Sequence, residues 1–135
     1  MTLVLSAAAR WARLVATIVA SDVDPRRVDD WSELCGVLPY GIRQTCQLVG
    51  AGTHQSLTLG RLLRSVRLAA RYGLRPCDLL EVEDPRTVNK MSRLAGISLY
   101  AQCPYSPDEL VQRQAIVRHE ALRASLAALL IAHGE

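Results

Sequence analysis

Phenylalanine is absent from this 135-residue chain, and only two Trp and four Tyr supply aromatic bulk. A sheet core favours aromatic and β-branched side chains, whereas the Leu, Ala and Val that dominate here suit close helix packing. Half of the residues are apolar, and the length suits one domain with a single core. The expected fold is all-α, one compact multi-helix domain over residues 1–135. Lysine is nearly missing as well: fifteen of the sixteen basic residues are Arg. Arginine suits bidentate contact with phosphate and guanine, although a GC-rich coding sequence gives the same bias. The net charge is only +3, but it is uneven. Residues 1–76 hold ten Arg against five acids, and residues 77–135 hold six basic residues against eight acids. The basic front points toward a polyanionic partner.

Other absences narrow the function. No C-x-x-C pair joins Cys35, Cys46, Cys77 and Cys103, and no His stands at zinc spacing from them. Neither a metal site nor a secreted disulfide framework is indicated, and a cytoplasmic location is expected. The opening MTLVLSAAAR lacks the basic n-region of a signal peptide. Arg10 and Arg13 interrupt its apolar run far short of the ~20 residues that a membrane span needs, so no membrane partner is expected. His54, His119 and His133 are scattered, no Ser or Cys has an obvious partner base, and Gly50-Ala51-Gly52 is too short to read as a phosphate loop. The chain therefore reads as no enzyme, with no cofactor and no metal.

What is present is helical punctuation. Apolar residues recur at helical spacing over residues 3–20. Asp24-Pro25 offers an N-cap followed by a proline at the first helical position, opening a second helix that runs to about Cys35. Gly36 ends it, Pro39 opens a third helix over residues 39–48, and Gly50-Ala51-Gly52 closes that one. A fourth helix spans residues 53–72 and stops at Gly73. A short segment follows near Cys77 to Glu81, then a helix from Asp84-Pro85 to Gly96, and ISLYAQCPYSP is read as an extended connector. Ser106-Pro107 opens a last helix expected to run unbroken over 107–133.

Two short helices joined at Gly36-Val37-Leu38-Pro39 are either a plain αα-hairpin or the helix-turn-helix that reads DNA. The DNA-reading form needs a small residue four before the turn glycine and an apolar residue six after it; these are Ser32 and Ile42. Tyr40, Arg43, Gln44 and Gln47 are then expected to point outward from the third helix toward base edges and phosphates. On the fourth helix, at about 100° per residue, Leu59, Leu62, Leu63, Val66, Ala69 and Ala70 form one face, and Arg61, Arg64, Arg67 and Arg71 the opposite one. Only Leu68 stands on the wrong side. With no acid interleaved, this stripe is expected to be neutralised by solvent, by a partner surface or by a phosphate backbone.

Over about residues 11–97 the chain resembles the DNA-binding domain of AraC-type transcriptional regulators, most strongly in WSELCGVLPYGIRQTCQLVGAGTHQSLTLGRLLRSVRLAA. That resemblance implies a helix, a helix-turn-helix, a long linking helix with an R-L-x-x-A element, near whose expected place Arg67-Leu68-Ala69-Ala70 stands, and a second helix-turn-helix. It makes residues 39–48 the first recognition helix and residues 85–95 the second. The implied partner is double-stranded DNA. Arg43 and Gln44 would read bases, Thr53, His54, Arg61 and Arg64 would position the protein on phosphates, and Arg86, Asn89, Lys90 and Arg93 would face a groove or backbone.

The expected C-terminal helix lies outside the resemblance. Leu110, Val117, Ala121, Ala124 and Ala128 form one stripe and Leu122, Leu126, Leu129 and Leu130 a second, which predicts a homodimer through this helix. The rival reading is a helical protein-interaction adaptor that keeps the architecture without binding DNA. It is motivated by the acidic Glu81, Glu83 and Asp84, by Cys46 where the resemblance places an aromatic, and by the apolar C-terminal helix. A helical ligand-binding bundle lacks a convergent polar set in the sequence.

Overall fold

The computed structural model describes residues 6–133, and among them the secondary structure is helical, with turns between and no strand. The chain is all-α, as expected. α1 (Ala7–Val19) starts where the Ser6 hydroxyl accepts the Ala9 N–H at 3.1 Å; Leu3 and Leu5, expected in this helix, lie outside the described residues. α2 (Val28–Cys35) begins later than Asp24-Pro25 suggested. Its cap comes from Asp30, whose Oδ2 accepts the Arg26 and Arg27 N–H groups at 3.1 and 3.2 Å. Asp24 is thereby released for a tertiary role. α3 (Pro39–Val49) and α4 (Thr53–Tyr72) follow, then a 3₁₀ turn (Pro76–Leu79), α5 (Pro85–Ala95), α6 (Pro107–Arg113) and α7 (Glu120–His133). The segment expected to be an extended connector, residues 97–105, is irregular, with bends and one turn at Leu99-Tyr100, and Leu99 is fully buried. No helix among the described residues is long and apolar enough to cross a membrane.

α4 is the axle. α1, α2, α3, the 3₁₀ turn, α5 and α6 all pack against it. Leu59, Leu62, Leu63 and Val66 are buried as the helical wheel predicts, but Leu68 and Arg64 are buried too, at 6% and 5% exposure. A wheel assumes one wet face, and a helix wrapped on several sides has little left to wet. Both tryptophans lie in this core with their ring N–H groups satisfied: Trp11 Nε1 donates to Ser56 Oγ and Trp31 Nε1 to the Leu14 carbonyl, each at 2.9 Å.

The single helix expected over 107–133 is two helices. After Arg113 the side chain of buried Gln114 takes over the local hydrogen bonding. Its Nε2 donates to the Val111 and Val117 carbonyls at 3.0 and 2.6 Å, and its Oε1 accepts from the Ile116 and Val117 N–H groups at 2.7 and 2.8 Å. The Ala115 N–H donates outward to the Leu94 carbonyl at 2.7 Å. Those bonds replace the helical ones, so α7 turns back across α1 and α6. The double apolar stripe accordingly dissolves. Leu110 stands before the reversal and Val117 within it, and both are core, as are Leu122 and Leu126, while Ala121, Ala124, Ala128 and Ile131 stay exposed.

Candidate nucleic-acid interface

The turn between α2 and α3 is closed by its own residues. Gly36 takes φ 72°, a left-handed conformation that a side chain would strain, and its N–H donates to the Ser32 carbonyl. The Ser32 hydroxyl donates to the Val37 carbonyl at 2.7 Å, closing the turn from inside. Ile42 and Cys46 of α3 are fully buried against the core. At the position where an aromatic was expected, Cys46 and Trp11 meet the same Ser56 hydroxyl, so bulk arrives from α1 instead. Burial pushes the Cys46 thiol above its ordinary pKa, against the opposing hydrogen bonds of Ser56 and Thr53.

With that side of α3 fixed inward, Tyr40, Arg43, Gln44 and Gln47 are all exposed. Together with Leu48 they fan over an arc of roughly 140° on the wheel. No hydrogen bond or ion pair to another described residue engages these four side chains. α7 packs on α1 and α6.

α5 repeats the arrangement 46 positions later. PYGIRQTCQLVG over 39–50 aligns with PRTVNKMSRLAG over 85–96, and each segment has a proline at the first helical position and a left-handed glycine at the end. Val88 is buried like Ile42, and Arg86, Asn89, Lys90 and Arg93 are exposed at the positions of Tyr40, Arg43, Gln44 and Gln47. What precedes α5 differs. In place of an eight-residue helix and a glycine turn stand the 3₁₀ turn and a connector over 80–84, and Asp84 caps α5 by accepting the Arg86 N–H at 2.9 Å. Arg86 also pairs loosely with Asp84 at 3.4 Å while 91% of its side chain is exposed.

The expected phosphate braces on α4 are not on this surface. Arg61 is held bidentate by Asp24, Nε to Oδ1 and Nη2 to Oδ2, both at 2.8 Å. Arg64 is buried, and its guanidinium donates to the Ser21, Asp22 and Leu79 carbonyls at 3.0, 2.8 and 3.0 Å. Arg67 Nε donates to the Val19 carbonyl at 2.7 Å. The stripe lacks an acid within its own helix because its partners are carbonyls and a carboxylate from distant segments. Only Arg71, stacked near the Tyr72 ring at 5.9 Å, remains exposed. Of the other two expected phosphate contacts, His54 is exposed at the start of α4 and Thr53 is half-buried.

Burial alone would raise the Asp24 pKa. The hydrogen bonds from Arg61 and the Glu81 N–H, with the charges of Arg61 and Arg64, outweigh it and hold the carboxyl below the usual carboxylate range. Burial pulls the Arg64 guanidinium down from its ordinary value, opposed by Asp24.

No family model matches the chain, and no curated protein or solved structure matches it. Arg26 and Arg27, which sequence reasoning passed over, are exposed at the start of α2, and their side chains bond to no other described residue. Their signal was present in DPRRVDDW, just before the helix that in a helix-turn-helix crosses the backbone. Among the described residues no group of three His, Cys, Asp or Glu side chains is placed to hold a metal ion, and the four cysteines are free thiols.

Proposed function

We propose that this protein binds duplex DNA and regulates transcription, placing α3 in a major groove. One observation carries the reading. α3 is locked to the core by Ile42, Cys46 and the Ser32–Gly36 turn, while Tyr40, Arg43, Gln44 and Gln47 project outward. A recognition helix needs that combination of a rigid seat and a free face of hydrogen-bonding side chains. Arg43 is the residue suited to a bidentate guanine contact, and Gln44 and Gln47 are suited to adenine. Arg26, Arg27 and His54 are suited to position the protein on phosphates, in place of Arg61 and Arg64. The resemblance to AraC-type domains supports the same order of elements, with Arg86, Asn89, Lys90 and Arg93 of α5 as a second contact. The experiment is selection of duplexes from a random pool by the wild-type chain and by Arg43→Ala. An enriched motif that relaxes in the variant supports the reading, and no enrichment by the wild type removes it.

A second reading, an adaptor that docks another protein on the same face, is favoured by Leu38, Tyr40 and Leu48, which are 76%, 73% and 62% exposed around α3. Recovery of one stoichiometric protein partner by a chain that ignores DNA at low salt would choose it. Homodimerisation through α7 now rests on exposed Ala121, Ala124, Ala128 and Ile131 alone. Such pairing would bring two α3 helices to two half-sites.

A further inference from the structure

The arginines that leave the DNA face converge on a buried cluster that ties together the two halves of the molecule. Asp24 is 5% exposed and precedes α2. Besides the two bonds from Arg61, its Oδ2 accepts the Glu81 N–H at 2.8 Å. One turn along α4, Arg64 binds the Ser21 and Asp22 carbonyls on one side and the Leu79 carbonyl on the other. The cluster thus joins three segments: the loop that leads into α2 and α3, the middle of α4, and the connector that leads into α5.

α5 has two ends to secure. Its C-terminal end is secured by the Ala115 N–H on the Leu94 carbonyl, and by Gly96, where a Cβ would stand 3.2 Å from the Arg113 carbonyl oxygen. Its N-terminal end is reached through residues 79–84, where the cluster holds both the Leu79 carbonyl and the Glu81 N–H. We infer that Asp24, Arg61 and Arg64 are positioning residues that fix where the exposed face of α5 stands relative to that of α3. A bidentate, largely desolvated arginine–carboxylate pair suits this, because its two parallel bonds set direction as well as distance. If the two faces read one duplex, as the proposed function holds, the cluster sets the separation of the two contacts without touching DNA.

The test uses the full chain with Asp24→Asn, Asp24→Glu and Arg61→Lys. Hydrogen exchange of the free protein at neutral pH is read for residues 79–90 and residues 28–50. Asp24→Asn and Arg61→Lys should each speed exchange in 79–90 at least tenfold more than in 28–50, with Asp24→Glu closer to wild type. Equal acceleration in both regions, or none, overturns the inference. Arg61→Lys keeps the charge and decides the matter should Asp24→Asn fail to fold. On DNA, Asp24→Asn should retain protection of the segment that contacts α3 and lose protection of the segment that contacts α5. The exchange needs no DNA, so a chain that ignores duplexes removes the proposed function and leaves the positioning claim to the exchange result.

Discussion

Replacing Arg64 by Met separates the two jobs that this arginine can be assigned. A phosphate-bracing arginine on a wet face contributes little to folding, and its loss flattens the dependence of DNA affinity on salt by about one counterion. The structure places Arg64 elsewhere, 5% exposed, with three carbonyl acceptors at 2.8–3.0 Å. Methionine fills much of the same volume and bonds to none of them. Hydrogen bonds to a charged group contribute about 1.5–3 kcal/mol each, but they are not additive, and part of the loss is offset by removing a buried charge. A net loss of about 3 kcal/mol is expected, which for a chain of this size lowers Tm by roughly 10 °C. Urea denaturation followed by fluorescence reads it directly, because Trp11 and Trp31 are both fully buried. Below the unfolding transition the salt slope for DNA should equal that of wild type. Wild-type stability together with a slope reduced by about one would refute the assignment and return Arg64 to the phosphates.

Further outcomes follow from other contacts. A Cβ at Gly60 would lie 2.7 Å from Ile18 Cδ1 and 3.0 Å from its Cβ. Gly60→Ala should therefore destabilise by about 1–2 kcal/mol despite its better helix propensity, and Ile18→Val should recover part of the loss in a double-mutant cycle. The folded-state pKa of Asp24 is depressed from 3.8, so its contribution is fully present above that value and is lost as pH falls through the folded pKa. Wild type and Asp24→Asn should thus differ most in urea midpoint at neutral pH and converge in acid below pH 3.8. Light scattering at micromolar concentration should give twice the 14.8 kDa chain mass if α7 pairs, and Ile131→Glu should return the single-chain mass.

The helices of this protein are written in its capping residues. Gly36, Pro39, Gly50, Gly73, Pro85 and Gly96 mark boundaries that the structure keeps within a residue or two, because backbone preference is local. The inward place of Ile42 was legible for the same reason, since it is set by spacing from Gly36 within one short segment. The division of α6 from α7 was not. No glycine or proline stands between Asp108 and His133, and the reversal depends on the Gln114 side chain and a Leu94 carbonyl twenty residues earlier. The α4 arginines were misread for a related reason. Unpaired within their own helix, they looked available, but Asp24 lies 37 residues from Arg61 and the carbonyl partners of Arg64 and Arg67 leave no trace in side-chain chemistry. The 46-residue correspondence of α3 and α5 was present in the letters and becomes plain once exposure is laid over it.

Base readout by α3 is tested most directly by one measurement: affinity of the wild type and Arg43→Ala for a selected duplex and for its scrambled counterpart at matched salt. The wild type is predicted to prefer the selected duplex, and Arg43→Ala, with an exposed and unpartnered side chain removed, to keep its fold while losing ~1–3 kcal/mol of that preference. Equal affinity of both proteins for both duplexes would contradict the claim that this helix reads sequence.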